Sequence, residues 1–289
     1  MLTLAVGIKN RAKELRLTLG SMIYHSGDVL KRHKDSIELL VLDRQSTDNL
    51  QDVLESVKDY FNIRLIQVDL KRAGVRVVST SGAVLTNLSF LLARGDRVLH
   101  FQPETLFLKD NITFMLEHDD LEFRVPMAST FDGQIKLSPG VIEDIEYDVL
   151  LLDHKATYIN QPGMSYHLTE DEDLGSALVA SDLDHPFYPW VWGCLTDLFL
   201  QTGLIDMDFL GGWAAEDDFM MLRLGQLGAY LHVVDDMVAY HMWHKRTAFA
   251  GSRFHQRNIA VLDGLRNINP MELQRRAERN RRISLRCVV

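Results

Sequence analysis

The run Gly211-Gly212-Trp213-Ala214-Ala215-Glu216-Asp217-Asp218 sets two glycines and an indole directly before three consecutive carboxylates. Carboxylates at this spacing suit two tasks. One can take the proton of a hydroxyl as it attacks, while its neighbours hold that hydroxyl in line. An indole just upstream covers the apolar face of a sugar ring whose hydroxyls the acids accept. The apolar series Phe219, Met220, Met221, Leu222 and Leu224 predicts a helix, with Gly225 and Gly228 as its stops. The acids then sit at the positive end of a helix dipole, which favours their ionised form. A plainer reading stands beside this one: the acids only cap a first turn.

The elements that must position such a site alternate along the chain. Leu2–Ile8, Ile37–Leu42, Ile63–Val68 and Arg97–Phe101 are short apolar runs of strand length, and Leu231–Tyr240 is another. Between them, Ala12 to Tyr24, Asn49 to Phe61 and Ala83–Leu92 have helical spacing, with Asp48 placed as the N-cap of the second helix. Further strands are expected at Leu121–Val125, after a turn at His118-Asp119-Asp120, and at Val149 to Leu152; a helix is expected at Leu195–Leu204. Ser252 to Ile268 and Met271 to Arg282 predict closing helices. Such alternation predicts an α/β fold of parallel βαβ units, in which ligands bind beyond the carboxyl ends of the strands.

The residues at those strand ends carry a resemblance. Trp213, Glu216, Asp217 and Asp218 resemble the Trp-Gly-Gly-Glu-Asp-Asp segment of GT-A glycosyltransferases of the β-galactosyltransferase-like and family-two kinds, with Ala214 and Ala215 in place of the two glycines. The opening strand, the loop Lys9-Asn10-Arg11, and Asp43-Arg44-Gln45-Ser46-Thr47-Asp48 after the second strand are similar to the start of family two. Thr86-Asn87, Ala93-Arg94-Gly95-Asp96 and Gly203-Leu204-Ile205-Asp206 resemble later family segments. The resemblance implies a GT-A fold, Rossmann-like, with a mostly parallel central sheet flanked by helices and with C-terminal helices. It implies a nucleotide-sugar donor, UDP-linked, and a saccharide or other hydroxyl-bearing acceptor. Gly7 to Arg11 and Asp43 would then hold the base and ribose, and Asn87 and Gln102 would join them on the donor. Asp217 would act as general base in an inverting transfer, with Glu216 or Asp218 orienting the acceptor beside Trp213. The domain would span residues 1–268, as a donor half 1–130 and an acceptor half 131–250, followed by a basic helix or tail 269–289.

Where that family has Asp-x-Asp, this chain has Gln102-Pro103-Glu104. The resemblance implies a divalent cation, Mn²⁺ or Mg²⁺, held by Glu104 with His241 and His244, which follow a predicted strand. The other reading gives the diphosphate to cationic side chains, with Lys245 and Arg246 beside those histidines. Asp182-Leu183-Asp184-His185 is a literal Asp-x-Asp but lacks a strand before it. The aromatic stretch Pro186 to Gly193 either lines the acceptor cleft, through Trp192, or packs as core.

Composition narrows the class. With 46% hydrophobic and 25% charged residues the chain is ordinary globular material, and no run is long enough for a membrane span. Two distant cysteines, Cys194 and Cys287, give neither a disulfide framework nor zinc spacing, and no signal peptide opens the chain, which together predict a cytoplasmic protein. No Gly-rich phosphate loop of the Walker or dinucleotide type occurs, against kinases and dehydrogenases; nucleotidyltransferases also lack support, having no early basic phosphate loop. Net charge is −9, but Leu265 to Val289 carry seven Arg and two Glu, so this tail is +5 and the remainder −14. Such a tail either contacts an anionic partner or is a solvated helix laced with ion pairs. A catalytically inactive GT-A domain that binds carbohydrate or nucleotide is the alternative to an enzyme.

Overall fold

The computed structural model describes residues 1–74, 82–118, 124–132, 157–158, 165–167, 191–211, 215–242 and 253–289. The expected strand Val149 to Leu152 lies outside them, as do Trp213, Asp182 to Trp190, His244, Lys245 and Arg246.

The uninterrupted apolar runs become the buried centre of one sheet, because strands covered on both faces need no polar alternation. β1 (Leu2–Ile8) is parallel to β2 (Ile37–Asp43) on one side and to β4 (Arg97–Phe101) on the other. β3 (Asn62–Gln67) lies parallel outside β2. Beyond β4 the sheet continues through β9 (Val191–Leu195), β6 (Arg124–Asp132), β10 (Tyr230–His241) and β5 (Thr105–Phe107), so its order is β3-β2-β1-β4-β9-β6-β10-β5. The two short strands β7 (Thr157–Tyr158) and β8 (Ser165–His167) pair with β6 and β10.

Two cores follow from the strict alternation of side chains on the sheet. On one face, α1 (Ala12–Arg32), α2 (Leu50–Val57) and α4 (Asn111–Glu117) cover Leu4, Val6, Leu39, Val41 and Leu99. On the other, Ala5, Leu40, Leu42 and Val98 meet α3 (Ala83–Leu91), α5 (Thr196–Gln201), α6 (Glu216–Gln226), α7 (Arg253–Leu265) and α8 (Pro270–Arg286). This is the expected α/β architecture. No helix among the described residues is long and apolar enough to cross a membrane.

Three local expectations are corrected. α1 runs past Tyr24 to Arg32, carrying Gly27 within it, because Leu30 continues its buried stripe. Asp48 does not cap the helix that follows it: its Oδ2 accepts the backbone N–H of Ala12 at 2.8 Å, so it caps α1 instead, while Asn49 precedes α2 without a side-chain bond. The expected helix Leu195–Leu204 is shortened to Thr196–Gln201, because Val191–Leu195 is a strand antiparallel to β4, with Trp192 opposite His100.

α8 is integral to the fold. Asn269 caps it by accepting the Glu272 N–H at 2.9 Å. Arg276 bonds Asp206 at 3.1 Å and Asp208 at 2.9 Å, and Arg279 bonds Asp208 at 2.7 Å. Asn280 accepts the Met207 N–H and donates to the Gly203 carbonyl. Past its end, Val288 bridges to Val68 and the Val289 N–H reaches the Gln67 carbonyl at 3.0 Å, so the chain closes the β3 edge. The ion-paired helix is thus what the basic segment forms.

Candidate functional site

The loops after β1 and β2 are stitched together at the carboxyl edge of the sheet. Asn10 takes a left-handed conformation (φ 53°), which Asn tolerates better than most residues. Its N–H donates to Ser46 Oγ at 2.9 Å, and its side-chain oxygen accepts the Thr47 N–H at 2.8 Å. Asp43 closes the same corner, accepting from the Ser46 N–H at 2.9 Å and Gln67 Nε2 at 2.8 Å. A carboxylate has about four acceptor positions, so Asp43 retains capacity for a ligand N–H or hydroxyl. Lys9 is exposed beside it.

The loop after β4 joins this edge through Arg11. Glu104 is 7% exposed, and its Oε1 lies 2.7 Å from Arg11 Nε. The loop is pinned from three sides. Thr18 Oγ1 donates to the Pro103 carbonyl at 2.7 Å, the Glu104 carbonyl accepts the Met242 N–H at 2.8 Å, and Thr105 pairs with His241 across β5 and β10. His241 is buried, with its Nε2 3.3 Å from Gln102 Oε1. An amide oxygen only accepts, so in this contact Nε2 carries the proton.

These donors do not fit a divalent cation. Hard cations want about six oxygen ligands with carboxylates among them. Here the single carboxylate is engaged by a guanidinium, the amide is neutral and the imidazole nitrogen facing that amide is protonated. Among the described residues no three side chains of His, Cys, Asp or Glu converge as a metal cluster. His244 lies outside them.

The acids open α6. Ala215 precedes them in the left-handed region (φ 67°), a conformation that costs an L-residue roughly 1–2 kcal/mol. Glu216 is 8% exposed; the Gly82 backbone ahead of α3 lies close enough to lower its pKa, and Oε2 is buried with no hydrogen-bond partner. α3 in turn packs on the end of β1, close enough that a Cβ on Gly7 would stand 2.7 Å from Leu85 Cδ1. Gly7, Leu85, Gly82 and Glu216 thus form a chain of contacts linking the acids to the edge that bears Asn10 and Arg11.

Burial raises all three acid pKa values, Asp218 to about 7. This corrects the dipole expectation. A helix N-terminus supplies about 0.3–1 kcal/mol, less than one pH unit, whereas burial shifts a carboxylate by up to ~3–5 units. Asp217 is crowded by protein yet exposed to solvent, the least desolvated member by area, so it ionises first. Its charge then raises the pKa of both Glu216 and Asp218. Near neutral pH the trio therefore holds a charged Asp217 beside a protonated Glu216.

Two expected site residues are structural. Asn87 is fully buried; it donates to the Ile205 carbonyl at 2.9 Å and accepts the Ile205 N–H at 2.8 Å, so it splices α3 to the segment before Asp206 rather than touching a donor. Asn87→Ala should lower the urea-unfolding free energy by about 2 kcal/mol, from the orphaned backbone groups, with nucleotide Kd unchanged. Trp192 is 1% exposed and stacked on Phe90 at 5.2 Å, so it packs in the core. Sequence reasoning missed Gly82, whose backbone favours the charged form of Glu216; its only signal is its place before a helix.

No protein-family model matches the chain, and a search of curated proteins finds no match. Solved structures do match. Residues 1–349 of S. aureus TarS in complex with UDP-GlcNAc superpose with a TM-score of 0.58 at 16% identity, over 94% of this chain and 69% of that one. The mannosyltransferase PcManGT from Pyrobaculum calidifontis, with GDP-Man and Mn²⁺, gives 0.52 at 14%, over 98% and 69%. GalNAc-T7 with UDP, GalNAc and Mn²⁺ gives 0.56 at 11%, over 97% and 55%. The fold is that of the GT-A glycosyltransferases, as these neighbours have it.

Proposed function

We propose that the chain is a glycosyltransferase that moves a sugar from a nucleotide donor, UDP-linked, to an acceptor hydroxyl. One observation carries this: three carboxylates with raised pKa values open a helix tied to the same sheet edge as the Asn10, Arg11 and Asp43 corner. UDP, UDP-GlcNAc and GDP-Man in the neighbouring structures support the donor class.

In the reaction Asp217 takes the acceptor proton as the oxygen attacks the anomeric carbon, and the bond to the diphosphate breaks. A carboxylate is a weak base for an alcohol, but the proton moves only as charge develops in the transition state. Glu216 or Asp218 orients the acceptor beside Asp217. A single displacement of this kind inverts the anomeric centre. Lys9, Asn10 and Asp43 take the base and ribose. Lys245, Arg246 and His244 stay assigned to the diphosphate on their sequence position alone. The described donors do not fit a metal, so the diphosphate charge falls to cationic side chains.

A thermal-shift screen of nucleotide sugars tests this reading, since a ligand of the folded state raises apparent stability by mass action. UDP- or GDP-sugars should raise Tm; no shift from any nucleotide sugar would remove the proposal. Trp213→Ala should raise the acceptor KM by about tenfold, the loss of one aromatic platform, and leave the donor KM alone. An effect on the donor KM instead would move the indole to the other substrate. The second reading, an inactive binding module, draws on the Glu104–Arg11 pair at the Asp-x-Asp position. Tm shifts without turnover of any donor would favour it.

A further inference from the structure

We propose that Arg11, gripped by Glu104 through Nε, presents its two Nη nitrogens to the donor diphosphate in place of a divalent cation, so that nucleotide binding by this chain needs no metal. This rests on the glycosyltransferase reading above.

The geometry assigns each part of the Gln102-Pro103-Glu104 loop elsewhere than to a cation. Glu104 meets Arg11 at Nε, 2.7 Å away, while Nη1 stands 3.7 Å from the nearest Glu14 oxygen, beyond hydrogen-bond distance. The guanidinium therefore keeps donors on its outer edge. Its side chain is 35% exposed against 9% for Glu104, so the fork opens outward while its anchor is buried. Arg11 also stands where the ligand edge demands: its carbonyl accepts the Leu15 N–H at 2.9 Å at the start of α1, next to the Asn10 corner.

The loop is also held too firmly to wrap a cation. Thr18, Met242 and the Thr105–His241 pairing fix its backbone, and His241 Nε2 is engaged by Gln102 Oε1 at 3.3 Å. Arginine matches phosphate bidentately and keeps its charge at every working pH, which suits a permanent replacement for a metal. A diphosphate carries more negative charge than one carboxylate. The fork can thus bind it without releasing Glu104, whose burial would make an unpaired carboxylate costly.

The two alternatives differ in sign at Glu104. If Glu104 orients Arg11, Glu104→Gln keeps an acceptor for Nε and lifts the counter-charge, so UDP binds as tightly or tighter. If Glu104 holds a metal, the same change weakens UDP. The experiment is isothermal titration of UDP, and separately GDP, into the full chain in EDTA and in excess Mn²⁺. Kd is expected to agree within about twofold between the two conditions. Arg11→Gln should raise it about tenfold or more in both, as loss of a charge-assisted bond does. Arg11→Lys should lose less than Arg11→Gln, and melting curves establish that each variant is folded. Binding that requires Mn²⁺, weaker binding by Glu104→Gln, or an unchanged Kd in folded Arg11→Gln each overturns the inference while leaving the glycosyltransferase reading intact. Binding of neither nucleotide in either condition overturns both.

Discussion

Asp217→Asn should cut sugar transfer by about 10²–10⁴-fold, the range for a lost general base, and leave nucleotide affinity unaltered. The assignment rests on the order in which the trio ionises. Asp217 is exposed and loses its proton first; its charge then holds protons on Glu216 and Asp218. The wild-type kcat/KM should rise with pH through the titration of Asp217, above the ordinary carboxylate range, because burial raises that pKa. Stability should move the opposite way. Between the unfolded carboxylate value of ~3.9 and the folded value of Asp218, about 7, the folded chain binds more protons than the unfolded one, so stability falls as pH rises through that window. Asp218→Asn should therefore raise Tm above pH 7 and do little at pH 4. Unchanged turnover in Asp217→Asn removes it from the base role; a Tm that falls above pH 7 in Asp218→Asn removes the electrostatic account.

Trp192→Ala should lower the unfolding free energy by about 3–5 kcal/mol, the cost of emptying a buried aromatic site. The indole stacks on Phe90, lies 5.8 Å from Phe199 and 5.6 Å from His100, and fills the far face of β9. His100 packs beside it, and burial pushes its pKa down to about 4, so it stays neutral through the physiological range. Urea unfolding monitored by circular dichroism measures the loss. Intact stability with a raised acceptor KM would return the indole to a binding cleft.

The contrast between Trp192 and Glu216 indicates what a one-dimensional pattern carries. β1, β2 and β4 were legible because strands buried on both faces need continuous apolar runs, and α6 because its acids and apolar residues have opposite places on the chain. Asp43, Asn10 and Glu104 were located by their position just after strands, a matter of topology that sequence order reflects. Trp192 was ambiguous because an indole is equally at home against a sugar and against Phe90, and only the antiparallel pairing of β9 with β4 decides. Asn87 and Asp48 misled for a related reason. Their hydrogen-bond partners, Ile205 and Ala12, lie 118 and 36 residues away, beyond any local pattern. The raised acid pKa values were illegible too, since desolvation depends on packing that periodicity does not encode.

The clasp of residues 270–289 on the first half of the domain bears on biogenesis. Ile283 and Cys287 join the apolar cluster that holds Val84, Leu88 and Phe90, and Val289 pairs with Gln67, more than 200 residues upstream. While the ribosome is still making the chain, the outer side of α3 stays uncovered and the β3 border stays open until the closing segment emerges. Such an interval favours aggregation and calls for chaperone shelter.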